Sequence, residues 1–305
     1  MPPELELDRL DCRAHIDYLS VISHEARPDI LPVLSCIPKW HKKKGDLTQT
    51  LTLHDPTRYD IVKIVEAMGN PMLFALELAV DFTPKASVDR LEREKLLCDT
   101  FVALAARFRP EDMTNWGYGA RGGLTGPKQK PLPFHQRLPS PNEELIYGVR
   151  GAYLQSKLYL KRVDQGTALE PAQHRVRLEL TNRRGALMES GLDRLGDLIG
   201  YEFRSKFTKH FRIIAAPRLR LHRKITASER LFREKRMKLA WKTAGVGKFA
   251  VSSVLPFETD AFAARRIAAR ARTQLPFEHY VLERYQYANA KIGDAFKKLQ
   301  RRMAS

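Results

Sequence analysis

Apolar and polar residues alternate with a period of two along three separate stretches of the chain, and that period predicts strands. In LFALELAVDF (73–82), Phe74, Leu76, Leu78, Val80 and Phe82 fall on one side, the expected core face. Leu73, Ala75, Glu77, Ala79 and Asp81 fall on the other. SKLYLKRV (156–163) sets Leu158 and Leu160 against Lys157, Tyr159 and Lys161. HRVRLEL (174–180) sets Val176, Leu178 and Leu180 against Arg175, Arg177 and Glu179. Further strands are predicted at AHIDYLSVI (14–22), LTQTLTL (47–53) and ELIYGVR (144–150), with a basic turn at HKKKGD (41–46).

Between these stretches the apolar spacing changes to that of a helix. After Asp55 and Pro56, a cap and a first helical residue, come Ile61, Ile64, Val65 and Met68, and Gly69-Asn70 is the stop. Residues 47–82 therefore read β-α-β. A second helix is predicted from Ser87 to Phe108, with Leu91, Leu97, Phe101 and Leu104 in its apolar stripe. Residues 109–142 are rich in Gly, Pro and Lys and read as a flexible loop, where Trp116 and Tyr118 could stack on bases beside Arg121, Lys128 and Lys130. Beyond about residue 186 helical patterns dominate.

This order predicts an α+β fold: a twisted, mostly antiparallel sheet with helices on one face. It divides the chain into an α+β unit over 1–186 and a basic, mainly helical region over 187–305. ASERLFREKRMKLAWKT followed by GKFAVSSVLPF suggests a helix and β-wing of winged-helix type in the second region.

Charge narrows the function. The 305 residues carry a net charge of +18, which points to polyanionic partners, nucleic acid ahead of a membrane surface. Three cysteines without CxxC spacing read as reduced thiols of a cytoplasmic protein rather than zinc ligands. The sequence has no apolar run long enough to span a membrane.

If the three alternating strands share one sheet, their polar sides combine into one face bearing Glu77, Asp81, Tyr159, Lys161, Arg175, Arg177 and Glu179. Four residues of strand span roughly 13 Å, so Glu77 and Asp81 cannot both hold one ion. Glu77 and Glu179 can meet if the register permits, and two carboxylates suit a hard divalent cation, Mg²⁺ or Mn²⁺. A Tyr hydroxyl beside such an ion suits attack on a phosphodiester. Cross-strand Glu–Arg pairing on an ordinary polar sheet face accounts for the same residues without catalysis.

Four ordered stretches carry a family resemblance: IDYLSV (16–21), LFALELAVDF, YGVR (147–150) and VRLEL (176–180). Together, over about residues 14–185, they resemble the rolling-circle replication initiators of plasmids (the Rep_trans type) and filamentous phages. The resemblance implies an enzyme that nicks and rejoins one strand of origin DNA through a Tyr–phosphodiester intermediate, assisted by a divalent cation. It implies metal ligation by Glu77 and Glu179, with Asp81, the second acid of its strand, in a supporting place among the metal-site residues. The family's Tyr position aligns with Lys161, so Tyr159, two residues earlier on the same side, becomes the expected nucleophile. Tyr153 is the other candidate.

Expected DNA contacts are Arg150, Arg175 and Arg177, and in the C-terminal region Arg220, Arg223, Lys224, Arg233, Lys235, Arg236 and Lys238. Further expected partners are a second copy of the chain and a host helicase, with no membrane. The Lys at the Tyr position also admits a DNA-binding replication regulator that does not cut.

Overall fold

The structure is a computed structural model that describes residues 5–23, 34–36, 38–42, 48–108, 116–120, 143–147, 153–164, 166–213, 218–219, 280–281 and 285–305. Its strands are β1 (Leu10–Ser23), β2 (Lys39–Lys42), β3 (Gln49–His54), β4 (Met72–Pro84), β5 (Trp116–Ala120), β6 (Glu143–Tyr147), β7 (Leu154–Lys161), β8 (Val163–Asp164), β9 (Thr167–Ala168), β10 (Arg175–Arg183), β11 (Arg218–Leu219) and β12 (Tyr280–Val281). Its α-helices are α1 (Arg58–Met68), α2 (Arg90–Arg107), α3 (Gly185–Glu189), α4 (Phe203–Phe207) and α5 (Gln286–Ala304).

Eight strands form one sheet in the order β2-β3-β1-β4-β10-β7-β6-β5, and the described pairings are antiparallel. The fold is α+β, as the alternating and helical periods predict. The three alternating stretches are neighbours at its centre, β4-β10-β7. Their apolar sides, including Leu76, Leu78, Val80, Phe82, Leu158, Leu160, Val176, Leu178 and Leu180, are buried in one hydrophobic core. Helices α2 and α5 pack on this sheet, α2 against β4, β7 and β10 and α5 against β1.

Two bulges set which residues face the core. Ile16 pairs with Leu78 and Tyr18 with Glu77, so Asp17 is an extra residue in β1. Before it Ala14 and Ile16 are buried; after it the apolar parity switches to Leu19 and Val21. A second shift leaves Phe74 of β4 unpaired with β1 and sets Leu73 opposite Val21. This corrects the face expected at the start of β4. Leu73 enters the core, whereas Phe74 is only partly buried and lies 5.7 Å from the Arg184 guanidinium. A bulge inserts one residue, so the period of two changes phase there.

Helix starts also move from their expected places. Thr57 rather than Asp55 caps α1: its hydroxyl accepts from the Asp60 amide, and the Asp60 carboxylate accepts from the Thr57 amide at 2.7 Å. Such a reciprocal box satisfies two otherwise orphaned donors. Asp55 instead sits in the left-handed region at φ 47°. Gly69 and Asn70, at φ 63° and 57°, end the helix where the sequence predicts. In α2, capped by Asp89, Leu97, Phe101 and Leu104 are buried, but Leu91 is 89% exposed because it lies in the first turn, clear of the sheet.

Two expectations about organisation change. Residues 116–120, placed in a flexible loop by composition, form the edge strand β5 against β6. Residues 41–42, read as a turn, belong to β2. Phe203, Phe207 and Phe211, and Ile292, Phe296 and Leu299 of α5, share the sheet's core. The proposed winged-helix segment lies outside the described residues.

Candidate functional site

The antiparallel register lines up the polar side chains in rows across the sheet. One row runs Glu144, Tyr159, Arg177, Asp81 and Arg13 over β6, β7, β10, β4 and β1. The next holds Lys157, Glu179, Ala79 and His15, and a third holds Thr181, Glu77 and Tyr18. Glu77 and Glu179 are thus diagonal neighbours, and the small Ala79 opposite Glu179 leaves space for their carboxylates to approach.

The Asp17 bulge brings a third acid to them. Ligand oxygens of Asp17, Glu77 and Glu179 lie within 4.8 Å of one another. Asp17 was not singled out from the sequence. The change of apolar parity within AHIDYLSVI, from Ala14 and Ile16 to Leu19 and Val21, was the available signal. A second group with the same closeness is His15, Asp17 and Asp55.

This face is polar but not solvated. Glu77, Asp81, Tyr159, Lys161, Arg177 and Glu179 are all buried. Buried charges must be paired, and the pairing explains the arrangement. Arg177 binds Asp81 through two bonds, Nε to Oδ1 at 2.6 Å and Nη2 to Oδ2 at 2.8 Å, and donates through Nη1 to Asp17. Lys157 Nζ stands 3.3 Å from Glu179 Oε2 and 3.7 Å from Glu77 Oε2. Tyr159 donates its hydroxyl to Glu179 Oε1, and Thr181 donates to Glu77 Oε2.

The electrostatics separate the acids. Burial, reinforced by the charge of Glu179, pushes the Glu77 carboxyl up to about 8. Burial would also raise Asp17, but His15, Arg177 and Lys161 hold it well below the usual carboxylate range. Burial and the adjacent Glu179 push the Tyr159 phenol up, so it is held protonated. Burial opposes the charge on Lys157, yet Glu179 and Glu77 outweigh it and raise the ammonium's pKa.

A divalent cation fits the donor set. Three carboxylates converge, all hard oxygen donors, and the charge of Glu179 adds to burial in raising the Glu77 carboxyl. Asp17, Glu77 and Glu179 would hold it.

The structure brings together Tyr159, Glu77 and Glu179, three of the residues singled out from the sequence. Asp81, assigned there as a metal ligand, stands apart. Its oxygens are engaged by Arg177 and, at 3.0 Å, by Arg175, because register places it beside Arg177 one row away. Arg177, assigned to DNA, is 1% exposed and committed to Asp81 and Asp17. Arg175 retains partial exposure. Lys161 is buried, with Nζ 3.1 Å from Asp164 and 3.8 Å from Asp17. Tyr153 is exposed at the start of the strand, outside the cluster. Arg150, Arg220, Arg223, Lys224, Arg233, Lys235, Arg236 and Lys238 lie outside the described residues.

No helix among the described residues is long and apolar enough to cross a membrane. No family model matches the chain, and no curated protein matches it. Among solved structures it is similar to a rolling circle replication initiator protein from Geobacillus stearothermophilus, with 11% identity over 80% of this chain and 97% of that chain, at a TM-score of 0.38.

Proposed function

We propose that this chain is a DNA-strand nicking and joining protein of the replication-initiator kind, with Tyr159 as nucleophile. The observation that carries the reading is the hydrogen bond from Tyr159 to Glu179 inside the Asp17–Glu77–Glu179 cluster. The four ordered sequence stretches and the net charge of +18 support a DNA substrate.

The chemistry is a transesterification. Tyr159 Oη forms a bond to phosphorus while the bond to the 3′ oxygen breaks. Glu179, already the acceptor of the phenolic hydrogen, takes the proton as general base, which the raised pKa of the phenol makes necessary at neutral pH. The departing 3′ oxygen takes a proton, leaving a 3′-hydroxyl and a 5′-phosphotyrosine ester. Attack of that hydroxyl reverses the step and rejoins the strand. A cation bound by the three carboxylates would polarise the phosphate.

One observation favours a second reading, a DNA-binding regulator that does not cut. Lys157 already stands between Glu77 and Glu179, and a resident ammonium there neutralises part of the charge a metal would satisfy.

The decisive experiment incubates the protein with single-stranded DNA of its own origin and Mn²⁺, then looks for a covalent adduct on a denaturing gel. An adduct is expected with the wild type and none with Tyr159→Phe. Lack of an adduct in both, with DNA binding intact, establishes the regulator. An undiminished adduct in Tyr159→Phe removes Tyr159 from the role.

A further inference from the structure

Strand β1 pairs with β3 only from Tyr18 onward, so residues 10–17 have an unpaired side among the described residues. Two adjacent cavities lie there, sharing Arg13 and Arg302. The larger, about 860 Å³, is bounded by the β3–α1 connection, the C-terminal end of α5 and the polar face of the sheet, and its wall includes His15, Arg58, Arg175 and Arg177. The smaller, about 480 Å³, continues along α5 past Lys85, Lys291 and Lys298.

We propose that this groove binds the phosphodiester backbone of a single DNA strand, through Arg13, Arg58, Arg175 and Arg302, and leads it to the carboxylate–tyrosine cluster. The proposal deepens the function proposed above and rests on it for the identity of the ligand.

Four features argue for it. The Arg13 side chain is exposed and makes no hydrogen bond or ion pair among the described residues, and its charge bears on Arg302 strongly enough to help lower that guanidinium's pKa, burial being the larger cause. Two mutually repelling guanidinium groups at the junction of two cavities are a place for an anion. Arg302 is also fixed in position, donating to the Ala14 carbonyl at 2.5 Å. Arg58 Nε and His15 Nδ1 are buried on the wall without a hydrogen-bond partner among the described residues, so donors and acceptors there are left for a ligand. Tyr59, on the same wall and 48% exposed, offers a ring on which a base can stack. Cations interleaved with an exposed aromatic ring suit a single strand, whose bases are free to stack. Acids are present too: Asp55 and Asp81 line the larger cavity and Asp11 and Asp294 the smaller, but the Arg and Lys residues outnumber them in each.

The inner end of the groove touches the chemistry. His15 Nε2 stands 3.6 Å from Asp17 Oδ1 and 3.8 Å from Asp81 Oδ2, so a strand lying against His15 has its phosphates in the same row as Glu179, with the small Ala79 between.

The test is fluorescence anisotropy with labelled oligothymidylate in EDTA, over about 50–200 mM salt, using Tyr159→Phe protein as the parent. Arg13→Ala is expected to weaken binding about 3- to 10-fold and to flatten the log–log salt slope by about 0.7, one lost single-strand phosphate contact. Arg13→Glu weakens it further. Neither lowers the melting temperature, since the Arg13 side chain holds no partner among the described residues. Unchanged affinity and slope in both variants overturn the proposal, as does a larger loss on a duplex or an oligoribonucleotide than on the DNA single strand. Because binding is read without metal and without the tyrosine, failure to form an adduct does not touch it. Conversely, an adduct in the wild type with binding unaltered by Arg13→Glu removes the groove and leaves the nicking chemistry standing.

Discussion

Glu77 is the residue whose environment has the clearest consequence. Held at about 8, its carboxyl keeps a proton in the folded chain over a range where the unfolded chain, near the ordinary value of about 4.3, has lost it. The folded state therefore binds more protons across that range, and stability falls as pH rises from the ordinary glutamate range to about 8. Glu77→Gln removes this loss. Denaturant unfolding at pH 8.5 should find the variant more stable than wild type by on the order of 1–3 kcal/mol, with the gap narrowing toward pH 4.5. A constant difference across pH refutes this account of the buried acid. That Glu77 faces away from the core side of its strand was legible in the sequence, because alternation is a local property of ten residues. Its partners were not. Lys157, Thr181 and Glu179 come from strands about 80–100 residues away, and only the pairing register brings them beside it.

At the scale of the element, β1 is where local pattern and observed structure differ most usefully. The Asp17 bulge adds one residue without disturbing the facing of either flank. Deleting Asp17 should leave a regular ladder with every core residue still inward, at a cost of about 1–3 kcal/mol for the lost pairing with Arg177. Deleting Ala79 from β4 instead shifts the rest of the strand by one and turns core residues outward. Circular dichroism melts of the two deletions should show a cooperative transition for the first and none for the second; the reverse would mean that Asp17 is not the inserted residue. The two helices that follow β3 and β4 were legible to within a turn. Caps resolved by side-chain geometry, such as Thr57 with Asp60, were not, because Asp55-Pro56 offers an equally plausible start in one dimension. Composition also misled at 116–120, where glycine content suggested a loop but backbone pairing with β6 made a strand.

Considered whole, the described molecule has one core, and α5 is part of it. Phe296 of α5 packs edge-on to Phe211 at 5.1 Å, and both belong to the cluster that contains Phe82 of the central strand. Phe296→Ala and Phe82→Ala should therefore shift the same unfolding transition, each by about 3–5 kcal/mol. If thermal unfolding shows Phe296→Ala moving a separate transition while that of Phe82→Ala stays in place, the two regions are independent domains after all. The sequence suggests such a division near residue 186 because helical patterns dominate beyond it. Composition records surface chemistry, whereas domain membership depends on which apolar stripe meets which.

The seat of α5 against the N-terminal half of β1 also bears on how the chain is made. Residues 10–17 have no strand partner on one side among the described residues, and α5, which packs against this strand, is made long after it, since its residues 286–304 follow β1 in the chain. Until then a growing chain carries an open strand edge of the sort that recruits neighbouring chains. Aggregation of unfinished chains should therefore begin from β1.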